Sequence, residues 1–170
     1  MNHRARRLGS LVALVAGLLV LTGCTAPRPQ VTFYGNGSTD RVAPAIWCAV
    51  DRTAMTVDCP DKADEAQTAR LSLRTGDGVE ISVDPDVASA SWGVLVKFVG
   101  PTGVTESATL GPFTDGRLTT TVVPDPTARI TSIEVQSGLI QALDNDGKTV
   151  ATYATRSWVL IAGQAAPANS

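Results

Sequence analysis

Apolar and polar residues alternate with a period of two through the middle of the chain. Ala69, Leu71 and Leu73 alternate with Arg70, Ser72 and Arg74, and Val79, Ile81 and Val83 alternate with Glu80, Ser82 and Asp84. A strand sends successive side chains to opposite faces, so the pattern predicts two half-buried strands. Thr75-Gly76-Asp77-Gly78 separates them. From Trp92 to Val99 the pattern changes. Trp92, Val94, Val96 and Phe98 take one face, while Leu95 and Val99 add apolar weight to the other. Apolar residues on both faces predict a central strand.

Weaker extended pieces flank these three. Val31-Thr32-Phe33-Tyr34 runs into Gly35-Asn36-Gly37-Ser38, whose Asn-Gly pair favours a tight hairpin turn. Ala45 to Val50 and Thr53 to Cys59 read as two more. If Cys48 faces Cys59, then Val50 faces Val57 and the turn falls at Thr53-Ala54. Ala108 to Phe113 predicts a short edge strand, and Arg117 to Val123 is stopped by Pro124-Asp125-Pro126. Ile130 to Gln136, Val150 to Tyr153 and Ser157 to Ile161 complete the set, with a less regular stretch from Ser137 to Lys148. No helical periodicity follows the first 24 residues. Short strands between Gly/Pro turns predict an all-β fold, an immunoglobulin-like β-sandwich with an N-terminal disulfide-bearing extension. The expected division is a disulfide-bearing β segment over 31–68, the sandwich over 69–163 and a frayed polar tail over 164–170.

The start of the chain has a different logic. Arg4, Arg6 and Arg7 precede 14 uncharged, mostly apolar residues, Leu8 to Leu21. A membrane-spanning helix needs about 20 such residues. The small pair Thr22-Gly23 then leads into Cys24. Charge, apolar run, small residues and cysteine in this order read as a bacterial lipoprotein export signal over 1–23. The alternative is an uncleaved helix or a plain secretion signal. In the lipoprotein reading the Cys24 thiol carries a diacylglycerol and the freed amine is often acylated too. Two or three acyl chains on one residue give stable anchoring. The expected product is a protein on the outer face of the cell membrane, held by lipidated Cys24 and a short tether over 24–30. Six residues, Thr25 to Gln30, reach at most about 20 Å.

Removing the signal leaves 147 residues, which suits one domain with a real core. They carry 11 Lys and Arg against 16 Asp and Glu, a net charge of −5. That argues against nucleic acid or an anionic lipid surface as a major partner. The single histidine is His3, so none remains after residue 23. Ser-His-Asp and Cys-His catalysis therefore lack their base, and imidazole-bound zinc or copper lacks its ligand. Lys62, Lys97 and Lys148 have no Ser three residues ahead, so the Ser-x-x-Lys arrangement is absent. Asp84 and Asp86 flank Pro85 at a strand end, where turn chemistry accounts for them; a catalytic carboxylate pair is the alternative. Asp58, Asp61, Asp64 and Glu65 read as a solvated loop, and Asp144-Asn145-Asp146-Gly147 as a tight turn. Neither has calcium-loop spacing. The expectation is a non-enzyme with no cofactor and no metal.

With Cys24 assigned to lipid, Cys48 and Cys59 are an even pair in an oxidising compartment, and a disulfide is expected. Two free thiols or a metal pair are the alternatives. The bridge is worth about 2.5–3 kcal/mol in the chain-entropy model. Tyr34, Trp47, Trp92, Tyr153 and Trp158 sit in or beside apolar strand segments and are expected in the core. Trp47 stands apart, beside the disulfide and outside the strand rhythm. It is the candidate ligand contact.

Four pieces of the chain resemble an uncharacterised family of actinobacterial lipoproteins. They are VTFYGNG (31–37), the segment from Trp47-Cys48 to Cys59, GVEISVDPDVASASWGVLVKF (78–98) and RSWVLIA (156–162). The resemblance implies an envelope lipoprotein with an immunoglobulin-like domain. It implies no activity and no catalytic residues.

Two functions from different classes follow. The first is a membrane-anchored, non-catalytic interaction module that assists a cell-envelope protein or complex. The second is a binder of a small apolar or lipidic ligand, held between the sheets or under the N-terminal segment. An apolar cavity of about 300 Å³ or more would favour the ligand. A contiguous exposed apolar patch of several hundred Å² would favour the partner. The native protein taken from its membrane should have the intact mass of a chain that begins at Cys24 and carries acyl groups. A mass without them overturns the anchor.

Overall fold

The computed structural model of the protein describes residues 27–54, 56–143 and 150–165. Cys24, Thr25 and Ala26, the Asp144-Asn145-Asp146-Gly147 turn and the tail beyond Ala165 lie outside the described residues. The strands are β1 (Val31–Gly35), β2 (Ser38–Val42), β3 (Ile46–Trp47), β4 (Ala49–Asp51), β5 (Thr56–Asp58), β6 (Thr68–Leu73), β7 (Val79–Val83), β8 (Trp92–Val99), β9 (Thr105–Phe113), β10 (Thr119–Val122), β11 (Arg129–Leu143) and β12 (Val150–Gln164). One sheet has the order β10-β7-β1-β2. The other has the order β3-β12-β11-β8-β9, with β6 also paired to β12. β4 and β5 form a hairpin of their own.

The alternation read from the sequence decides how the two sheets meet. Ala69, Leu71 and Leu73 are buried while Arg70 and Ser72 are exposed. Register then aligns the apolar faces into rows. Leu160 lies opposite Ile133, which lies opposite Val96; Trp158, Val135 and Val94 form the next row. These side chains join Val31, Phe33, Val79, Ile81 and Val83 of the other sheet in one buried cluster. The result is the expected all-β sandwich. The sheets establish the sandwich, not the immunoglobulin-like strand order.

The 31–68 stretch is woven into the sandwich rather than standing wholly outside it. β1 lies between β2 and β7, with Phe33 opposite Asp40 on one side and Ile81 on the other. The Asn36-Gly37 turn makes this hairpin as expected, with φ of 48° and 72°. β2 escaped the sequence reading because STDRV is mostly polar and has no alternation of its own. A second difference is a single helical turn, α1 (Pro85–Ala88), which starts with proline and buries Val87. Four residues are too few to show helical periodicity.

The third difference is length. Ile130 to Gln136 and the irregular stretch after it as far as Leu143 lie in one strand of 15 residues, and the two pieces from Val150 onward lie in another. β11 and β12 pair without a register shift from Ser132 opposite Ile161 to Leu143 opposite Val150. The pattern breaks at Gly138, which has a φ of 65°. A Cβ there would collide with the Thr155 hydroxyl, which donates to the Gly138 carbonyl at 3.0 Å. Beside it, Ser137 is fully buried in line with Trp92. Its Oγ has no hydrogen-bond partner among the described residues. Tyr34, expected in the core, is 50% exposed, because it sits on the outward side of β1.

The N-terminal segment is fastened before β1 begins. Pro29 is buried, and its carbonyl accepts the Trp158 indole N–H at 3.1 Å. The Gln30 N–H donates to Asp84 Oδ2 at 2.8 Å, and the Asp84 N–H donates back to the Gln30 carbonyl at 3.1 Å. This clasp leads back to Arg28, which lies over Trp47 with Arg156, on the Val150 side of Trp158. The C-terminal end of β12 lies at the opposite end, where Gln164 pairs with Leu73.

Replacing Ser137 with Ala removes a buried hydroxyl that has no hydrogen-bond partner among the described residues, and should raise stability by about 1 kcal/mol. Replacing Gly138 with Ala should lower it by about 1–3 kcal/mol, because the backbone is left-handed and the space is taken. Urea midpoints check both. A destabilised Ser137→Ala would show that the hydroxyl has a partner.

Candidate functional site

The β4–β5 hairpin is too short and too exposed to hold itself. Its burial pattern is exposed at five of six positions. The Cys48–Cys59 disulfide closes its base, with the Cα atoms 4.2 Å apart. Val50 then lies opposite Val57, the register expected from the sequence. The turn after β4 is made by Asp51, whose Oδ1 accepts the N–H of Thr53 at 2.8 Å and of Ala54 at 3.0 Å. An aspartate side chain thus supplies turn chemistry that Thr53 and Ala54 lack. The Ala54 and Thr53 hydrogen bonds hold this carboxyl below the usual aspartate value.

The same hairpin is pinned to the edge of the second sheet. Ala45 N–H donates to the Ser157 carbonyl at 2.8 Å, and Cys48 N–H to the Thr155 carbonyl at 2.9 Å. Cys48 is itself buried. The chain returns through Asp64, whose N–H donates to the Ala45 carbonyl at 2.8 Å.

A cleft of about 300 Å³ opens between this hairpin and the outer stretch of β11. Val50 and Val57 form one wall and Ile140 the other. Asp51, Arg52, Thr56 and Gln141 supply the polar rim. Such a site can hold an apolar group and orient one polar end at Arg52 or Asp51.

Trp47, the candidate from the sequence, does not line the cleft. It lies three residues before Val50 and is 40% exposed, not packed in the core. The Arg28 guanidinium sits 5.5 Å from its ring centroid and that of Arg156 sits 5.6 Å away. Both are cation–π distances. The tryptophan therefore ties the segment before β1 to β12. Trp92 and Trp158 are fully buried as expected.

The other candidates have structural work. Asp84 accepts from Gln30 and from Arg41 at 3.0 Å, so its carboxylate closes the clasp rather than pairing with Asp86. Asp64 caps a single 3-10 turn by accepting the Ala66 N–H at 3.0 Å. Among the described residues, no three His, Cys, Asp or Glu come together to hold a metal. Arg117 binds Asp115 with both forks of its guanidinium, which pulls the exposed Asp115 carboxyl down to about 2. A smaller hollow of about 190 Å³ lies on the outer face of the second sheet, beside Leu95 and Val159. Its Glu134 accepts from Ser157 at 2.8 Å and Gln136 at 3.0 Å.

The sequence reading missed Val50, Val57 and Ile140 as a site. The available signal was the Val50–Val57 pairing itself, two apolar residues facing each other on a hairpin outside the strand rhythm.

Residues 25–161 match the family model DUF2771, described as a protein of unknown function. The chain belongs to that family. The match takes in the clasp, the hairpin and both sheets. Similar chains include the uncharacterized protein Rv0875c of Mycobacterium tuberculosis (strain H37Rv) and the uncharacterized protein Mb0899c of Mycobacterium bovis. Each is 27% identical over 139 residues, covering 82% of this chain and 81% of the relative. No solved structure matches. An uncharacterised family with mycobacterial relatives is the part of the resemblance that these comparisons support.

Two outcomes test the hairpin. Replacing both Cys48 and Cys59 with Ser should cost about 2–3 kcal/mol, read by urea unfolding. The lowered Asp51 value fixes a sign for pH. A carboxyl depressed in the fold contributes stability above its unfolded value, and that contribution is lost as pH falls through the folded value. Hydrogen-exchange protection of Thr53 and Ala54 should therefore hold down to the ordinary value of 3.8 and fall below it. Loss of protection near neutral pH overturns the assignment.

Proposed function

We propose that this chain is a lipoprotein anchored through Cys24 on the outer face of the cell membrane. It acts without catalysis, and it holds a small apolar or lipidic ligand in the cleft beneath the disulfide hairpin. The observation that carries the reading is the cleft itself, about 300 Å³ with walls of Val50, Val57 and Ile140. That volume is at the lower end of ligand pockets, so the site suits one short apolar chain rather than a bulky molecule. A few polar groups at an apolar pocket's rim fix orientation, and Arg52 and Asp51 are placed for that. The absence of histidine after residue 3 supports the non-catalytic part.

A second reading, a module that engages an envelope protein, is favoured by β9. This strand of nine residues pairs with β8 and has no second strand partner among the described residues. Glu106 is its only charge. An open edge with so little charge can accept an extended peptide as an added strand.

Binding of a fluorescent medium-chain fatty acid to the purified protein separates the two. Val57→Asp should weaken it at least tenfold, while Val123→Asp, at an exposed site far from the cleft, should leave it unchanged. Equal binding by all three proteins, or none by the unaltered one, overturns the cleft reading and leaves the β9 edge as the stronger site.

A further inference from the structure

We infer that the end of the sandwich bearing Trp47 and the hairpin cleft rests against the bilayer that holds Cys24, with Trp47 in the headgroup layer. The inference rests on the anchor reading above and names the surface that the anchor brings to the lipid.

The clasp at Pro29 and Gln30 fixes the chain to Trp158 and Asp84, and Arg28 is held over Trp47. Arg28 is four residue steps from Cys24, so the acylated residue lies within about 14 Å of Arg28. β11 and β12 have 15 residues each, which makes them about 50 Å long. The tether is far shorter than the domain. Arg28 shares the Trp47 ring with Arg156, about 20 Å along β12 from Val150, so the tether brings the region around Trp47, and not the far end of the sandwich, to the membrane.

That region presents a particular chemistry. Trp47 and Val50 are 40% and 42% exposed. Arg28 and Arg156 flank Trp47, and Arg52 stands on the cleft rim. Tryptophan favours the membrane–water interface, and long cationic side chains lay their stems along apolar surface with the charge toward water. The exposed Val104 and Val123 lie at the opposite end, beyond the tether's reach. A net charge of −5 after residue 23 gives no general attraction to anionic lipid. The contact therefore depends mainly on the anchor and the apolar side chains, and Arg28, Arg52 and Arg156 add a local attraction to anionic lipid that salt weakens. It also puts the cleft next to a supply of acyl chains.

Trp47 is the one exposed tryptophan of three, which makes the inference directly measurable. Full-length lipidated protein would be reconstituted into phosphatidylcholine vesicles with and without brominated acyl chains, and flotation would be read beside tryptophan fluorescence. The expected result is quenching that disappears in Trp47→Phe and persists in pure phosphatidylcholine at 0.5 M salt, where the Debye length is about 4 Å. Protein that floats but shows the same quenching in both forms, or none, overturns this orientation and leaves the anchor standing. Protein that fails to float and lacks acyl mass overturns the anchor, and the inference falls with it. Fatty-acid binding by detergent-free soluble protein reads the cleft separately in every case.

Discussion

β12 carries hydrogen-bonded partners along both edges, and the rest of the second sheet and the N-terminal segment are fixed from it. One edge takes β11 from Val150 to Ile161. The other is shared, with β3 opposite Arg156 and Ser157 and β6 running parallel from Val159 to Gln164. A buried strand must pair its backbone N–H and carbonyl groups, because an unpaired one costs as much as a lost hydrogen bond. β12 meets that constraint with three different partners. It also supplies Trp158, whose indole N–H holds Pro29, and Arg156, whose guanidinium lies over Trp47. The last strand of the chain thereby fixes where its beginning leaves the fold.

This arrangement separates two kinds of stability within one molecule. The sandwich is held by buried apolar rows, and its deepest side chains, Trp92, Trp158 and Phe33, have no exposure. The β4–β5 hairpin has almost no core of its own. A disulfide, an aspartate-capped turn and two backbone hydrogen bonds to β12 hold it instead. An element held at its base leaves its apolar face unfilled, and the cleft against Ile140 is the consequence. A binding surface is easier to keep in such a place than in a close-packed interior, where any vacant volume lowers stability.

Much of the fold was legible in the sequence. Alternation at 69–74 and 79–84 gave two inner faces, and mixed apolar character at 92–99 gave a strand paired on both sides. The Asn36-Gly37 turn and the Val50–Val57 register followed from local chemistry. The failures have equally local causes. STDRV is polar on both faces, a four-residue helix is shorter than the period that would reveal it, and Gly138 interrupts the pattern of a continuous strand. Of the candidate site, the sequence offered Trp47, which is exposed beside the cleft but belongs to the cation–π stack.

The sequence by itself determined the strand faces, the turn positions, the pairing of the two cysteines after Cys24 and the absence of a histidine base. Each depends on residues near one another in the chain or on composition alone. Only the tertiary structure decided that β1 sits inside the first sheet, that β6 runs parallel to β12 and that Val50, Val57 and Ile140 share a cleft. Those facts join residues up to about 90 positions apart. Their common cause is the choice of strand neighbours. That choice is made by how two apolar faces can close over each other, and no local pattern encodes it.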